Sequence, residues 1–129
     1  MSKKYSILIV DDDKFLLDMY RRKFEHDGAT VDVAVGSEET LAKLRDGAKP
    51  DILILDIIMP GMDGVELLEA IRKEKLAPDS VVIMLTNESD TDKIEKAKSL
   101  GIKGYIVKAT SVPTEVVEEV WKIAGLKSK

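Results

Sequence analysis

Ile52-Leu53-Ile54-Leu55-Asp56 decides the fold: four consecutive apolar residues run straight into an acid. A strand that is apolar at every position has both faces covered, which is the situation of a central strand in a parallel sheet. The same pattern recurs at Ile7-Leu8-Ile9-Val10, which ends in Asp11-Asp12-Asp13, and at Val81–Leu85, which ends in Thr86. Segments of helical period separate these runs. Strands are therefore expected at Tyr5–Val10, Thr30–Val35, Asp51–Leu55, Val81–Leu85 and Gly104–Val107. Helices are expected at Lys14–His26, Glu38–Arg45, Val65–Lys73, Thr91–Leu100 and Pro113–Ala124. Asp27-Gly28 and Leu100-Gly101 put glycine where a helix turns off, Ser37 is placed to cap the second helix, and Pro113 suits a first helical turn.

Thr30-Val31-Asp32-Val33-Ala34-Val35 differs from the other runs because it alternates polar and apolar residues, as an edge strand does. With right-handed crossovers, that edge favours the order 2-1-3-4-5. The expected fold is α/β, a doubly wound five-stranded parallel sheet of flavodoxin-like order with helices on both faces. Its topological switch point lies between the first and third strands, where the acids emerge.

The chain has 129 residues, 44% hydrophobic and 34% charged, which suits one compact domain over 1–129. A formal charge of −4, with Lys and Arg dispersed among acids, argues against a nucleic-acid surface. The absence of Cys removes disulfides and thiolate metal sites. No apolar run approaches the ~20 residues of a membrane span, and the first residues do not resemble a secretory signal. A soluble, cytoplasmic protein without membrane insertion is expected.

Parallel strands would bring Asp11, Asp12 and Asp56 to one rim, together with Thr86 and Lys108. Clustered carboxylates raise one another's pKa unless a divalent cation joins them, so this rim calls for an oxygen-preferring ion such as Mg²⁺. The lysine and the hydroxyl suit a phosphoryl group. Other acids have plainer readings. Asp13 is assigned to capping the first helix, and Asp63-Gly64, within Met59-Pro60-Gly61-Met62-Asp63-Gly64, to turn chemistry. Tyr105 reads equally as an ordinary strand aromatic or as a functional residue. His26, near a helix end, has no metal partner in view.

Asp11-Asp12 after the first strand, Asp56 and the following Met59–Gly64 loop, Thr86 after the fourth strand, and Tyr105 with Lys108 around the fifth resemble the receiver domain of two-component response regulators. The resemblance covers essentially the whole chain. It implies that Asp56 is a phosphoacceptor and that Asp11, Asp12, Asp56 and the backbone carbonyl of Ile58 hold Mg²⁺. Thr86 and Lys108 would contact the phosphoryl oxygens, and Thr86 with Tyr105 would form a switch. Ile58 and Glu88 would tune the lifetime of the acyl phosphate. Such a domain catalyses only its own phosphorylation and dephosphorylation.

The partners implied are a histidine kinase or histidine phosphotransfer protein upstream, and a downstream protein or a second copy. The downstream contact would use the face made by Thr91–Leu100, Tyr105–Val107 and Pro113–Ala124. Kinase contacts are expected among Phe15, Leu16, Met19 and Tyr20, half of which must instead be core. Because no output domain follows Leu126, the chain reads as a stand-alone receiver or as a fragment of a larger regulator.

Two positions depart from the family pattern. Ala109 stands where the family has a cis-proline, and a cis bond before alanine would cost about 3–4 kcal/mol, so Lys108 is expected to be held less firmly. Asn87 stands where a small residue is usual, next to the expected phosphoryl group. Two rival functions follow from the same residues. One is a receiver-like interaction module without phosphorylation. The other resembles a haloacid-dehalogenase-like phosphatase, with Asp11 as nucleophile and Asp13 as acid/base.

Overall fold

The computed structural model describes residues 4–86, 91–108 and 112–125. Strands and helices alternate in the order β1 (Ser6–Asp11), α1 (Lys14–His26), β2 (Thr30–Val35), α2 (Gly36–Arg45), β3 (Ile52–Asp56), α3 (Gly64–Lys73), β4 (Val81–Thr86), α4 (Thr91–Ser99), β5 (Gly104–Val107) and α5 (Pro113–Ala124). The five strands form one parallel sheet in the order β2-β1-β3-β4-β5, as expected from the alternating edge strand and the continuous central ones.

Period-2 alternation divides the core into two layers. Leu8, Val10, Leu53, Leu55, Val82 and Met84 face α2, α3 and α4, packing with Leu41, Leu67, Leu68, Ile71 and Ile94. Ile7, Ile9, Ile52, Ile54, Leu85 and Ile106 face α1 and α5, packing with Leu17, Phe24, Val116, Val120 and Trp121. Each such buried aliphatic side chain contributes about 1.5–3 kcal/mol. The Trp121 indole N–H donates to the Asp27 carboxylate at 3.0 Å, and its ring meets Phe24 edge-on at 5.8 Å, which ties α5 to the end of α1.

Helix ends mostly follow the expected chemistry. Asp13 caps α1, accepting from the N–H groups of Phe15 and Leu16. Pro113 sits in the first turn of α5, and Gly28 and Gly101 take φ of +96° and +85° after α1 and α4. The second helix is the exception. It begins at Gly36, two residues before the expected start, so Ser37 lies inside its first turn and caps nothing. Gly36, at φ +85°, lets the chain pass directly from β2 into the helix, and the Glu39 carboxylate reaches back to the Val35 N–H at 2.9 Å. The Ser37 hydroxyl is spent elsewhere, donating to the Met62 carbonyl at 2.7 Å.

β1, β3 and β4 each end one residue later than expected. Asp11, Asp56 and Thr86 are thus the last paired residues of strands, held by the ladder itself.

Candidate functional site

The parity that sorts the core also sorts the rim. Asp11 continues the Ile7–Ile9 face of β1, and Asp56 continues the Ile52–Ile54 face of β3, so both carboxylates emerge toward α1 and α5. Lys108, two residues past Ile106, joins them there. Thr86 follows Met84, and Tyr105 precedes Ile106, so these two lie toward α4.

Asp11 is fully buried and Asp56 is 4% exposed. The Lys108 ammonium donates to Asp56 Oδ2 at 3.2 Å and to Asp11 Oδ2 at 3.3 Å. The Asp13 N–H donates to the other Asp11 oxygen at 3.0 Å. Burial and the neighbouring Asp11 charge push the Asp56 carboxyl up to about 7, against the pull of Lys108. Burial works to neutralise Lys108, but the two carboxylates outweigh it and hold its pKa above the ordinary lysine value.

Asp11, Asp12 and Asp56 each offer a carboxylate oxygen within 4.8 Å of the others, with Asp12 exposed and the other two buried. Two buried acids beside one lysine leave negative charge in excess, and three hard oxygen donors suit Mg²⁺. The loop that follows leaves a carbonyl without an N–H partner among the described residues. The Ile57 N–H donates to the Leu85 carbonyl at 2.9 Å and the Ile57 carbonyl accepts from Gly64 at 2.8 Å, whereas no N–H among the described residues donates to the Ile58 carbonyl.

Gly64 is a site residue that sequence reading treated only as part of a turn. A Cβ built on it would fall 2.2 Å from the Asp56 carbonyl oxygen and 2.9 Å from the Ile57 Cα. The start of α3 therefore lies directly against the backbone of Asp56. Asp63, just before it, closes a capping box with Glu66 and pairs with Lys93 of α4 at 2.8 Å, which agrees with its reading as turn and cap chemistry.

Thr86 is 2% exposed, whereas Tyr105 is 42% exposed at the sheet edge with its ring turned outward beside α4. Ile58, two residues after Asp56, is 46% exposed. Of the kinase-contact candidates, Phe15 at 87% and Met19 at 40% exposure face out, Tyr20 is core and Leu16 is partly buried. Asn87, Glu88 and Ala109 lie outside the described residues, and with them the expectations about lifetime, crowding and lysine positioning.

This arrangement does not fit a phosphatase using Asp11. Both Asp11 oxygens are engaged, and one carboxylate oxygen of Asp13, the required acid/base, is committed to the first N–H groups of α1.

Residues 7–120 match the response regulator receiver domain family. The transcriptional regulatory protein ResD of Bacillus subtilis (strain 168) is 36% identical over 114 residues, 88% of this chain and 45% of ResD. The alkaline phosphatase synthesis transcriptional regulatory protein PhoP of the same organism is 35% identical over 117 residues, 90% of this chain and 46% of PhoP. A CheY-like receiver domain protein from Methanospirillum hungatei JF-1 superposes with a TM-score of 0.83 at 30% identity, covering 95% of each chain. The chain belongs to the response regulator receiver domain family of two-component signalling.

It spans about half the length of the curated relatives it matches. Both are named as transcriptional regulators, so the exclusion of nucleic acid drawn from charge speaks only of this stretch. No helix among the described residues is long and apolar enough to cross a membrane.

Proposed function

We propose that Asp56 accepts a phosphoryl group from a phosphohistidine of a kinase or phosphotransfer protein, and that the chain acts as a single receiver domain in the cytoplasm. The observation that carries this reading is Asp56 at the end of β3, almost fully buried, with the Lys108 ammonium at 3.2 Å and Asp11 beside it. An Asp56 oxygen attacks phosphorus, the P–N bond to the imidazole breaks, and the nitrogen leaves with the electron pair. Lys108 supplies a fixed positive charge where the transferred group gains negative charge. Asp11, Asp12, Asp56 and the Ile58 carbonyl would hold Mg²⁺, which when bound neutralises charge on the phosphoryl oxygens.

Thr86 and Tyr105 would read the result. A recess of about 220 Å³ beside Thr86 and Tyr105 offers space for the outward ring to turn in once the threonine hydroxyl is drawn toward phosphate. The surface of α4, β5 and α5 would then meet a downstream protein or a second copy. Phe15 and Met19, outward on α1, would meet the kinase.

Intact mass after incubation with Mg²⁺ and acetyl phosphate tests the central step. The expected result is a gain of one phosphoryl group that is lost in Asp56→Asn and with a chelator. No gain, or a gain that survives Asp56→Asn, overturns the reading.

A further inference from the structure

Lys98 of α4 holds its ammonium 5.5 Å from the centre of the outward Tyr105 ring and pairs with Glu95 one turn back at 3.2 Å. At this separation the positive charge is attracted to the electron-rich face of the ring. The recess beside the ring is lined by Thr86, Ile94, Glu95, Lys98 and Val107, so Lys98 stands at its mouth.

The helix that carries Lys98 is itself tied down. Lys93 pairs with Asp63 at 2.8 Å and Lys96 with Glu69 at 3.1 Å, joining α4 to α3 along its length. Past the last turn, the Arg72 guanidinium donates to the carbonyls of Leu100 at 2.9 Å and Gly101 at 3.3 Å. The backbone that carries Lys98 is therefore fixed, and the contact at 5.5 Å belongs to the outward position of the ring.

We propose that Lys98 is a latch on Tyr105, its cation biasing the ring toward the outward, resting position. The purpose of the latch rests on the phosphorylation reading above, and its geometry does not. A cation over a partly exposed ring is enough to shift such a two-position equilibrium by about two- to fivefold. Release of the ring leaves Lys98 still paired with Glu95, so the inward state exposes no orphaned charge.

The test uses the unphosphorylated chain labelled with fluorotyrosine. Its three tyrosines are Tyr5, Tyr20 and Tyr105, and the Tyr105 ¹⁹F resonance is identified by its loss in Tyr105→Phe. The solvent-isotope shift of that resonance between H₂O and D₂O reports exposure of the ring. Lys98→Met keeps an unbranched apolar stem and removes the charge, at a side chain 52% exposed and so dispensable for folding.

If the ring stayed outward, stripping the lysine would uncover it further. The latch instead predicts reduced exposure in Lys98→Met, corresponding to an inward population raised about two- to fivefold, and parental exposure in Lys98→Arg, which keeps the cation. Unchanged or increased exposure in Lys98→Met overturns the latch, as does an equal fall in Lys98→Arg. Because this readout needs no phosphoryl group, it fails separately from the acetyl phosphate experiment.

Discussion

Replacing Asp56 by asparagine should stabilise the metal-free protein, and by an amount that depends on pH. The folded site raises the Asp56 carboxyl from 3.8 to about 7, because the acid is buried beside Asp11. At about 1.4 kcal/mol per pH unit, ionising it inside the folded protein costs at most about 4 kcal/mol more than in the unfolded chain. Water at the rim and relaxation of Lys108 reduce this, and about 2 kcal/mol is expected.

The folded state holds the Asp56 proton more tightly than the unfolded state, so the contribution is complete below pH ~4 and is lost as pH rises through ~7. Asp56→Asn carries no ionisable group there and does not lose it. Urea unfolding followed by the single, buried Trp121, in a chelating buffer, should give similar midpoints for the two proteins near pH 4 and a more stable variant near pH 8. Mg²⁺ at pH 8 should narrow or reverse the difference by stabilising only the parent. A variant-minus-parent difference that is the same at pH 4.5 and pH 8 would refute the reasoning.

Gly64→Ala places a methyl 2.2 Å from the Asp56 carbonyl oxygen, so a destabilisation of about 2–3 kcal/mol and slower modification by acetyl phosphate are expected, read by urea midpoint and intact mass. Lys75, at φ +57° just after α3, occupies a left-handed position that glycine adopts without penalty. Lys75→Gly should gain about 1 kcal/mol, visible as a thermal midpoint raised by about 4 °C. Asp12 is exposed, so Asp12→Ala should leave the unfolding midpoint unchanged while lowering Mg²⁺ affinity at least tenfold by calorimetry.

The sheet order was readable because β2 alternates while β1, β3 and β4 do not, which separates an edge from a centre without any tertiary information. The site followed from the same runs, since Asp11 and Asp56 end them and Lys108 lies just beyond β5. Ser37 was misassigned because capping propensity favours a serine before a helix, whereas Gly36 allowed the helix to start earlier. Gly64 was seen only as turn chemistry, because close approach of α3 to the Asp56 backbone is a property of the packed loop. Lys93 and Lys98 had no signal at all, as lysines on a helix surface ordinarily read as solvated. The apolar residues Phe15, Leu16, Met19 and Tyr20 are too closely spaced for helical period alone to say which half is core, and only the packed α1 separates Tyr20 at 4% exposure from Phe15 at 87%.

Tyr105 and Lys108 are separated by an odd number of positions on one short segment, and so they address opposite sides of the sheet. Deleting or inserting a single residue between them would send the lysine toward α4 or the tyrosine toward the carboxylates, so the two could no longer both keep their places. Substitutions on either side carry no such coupling. The charged rim and the α4 surface are back to back across one thickness of backbone, which leaves each free to diversify against its own partners. On the phosphorylation reading, a protein resting against α4 would respond to the state of Asp56 while never approaching the Asp11, Asp12 and Asp56 carboxylates.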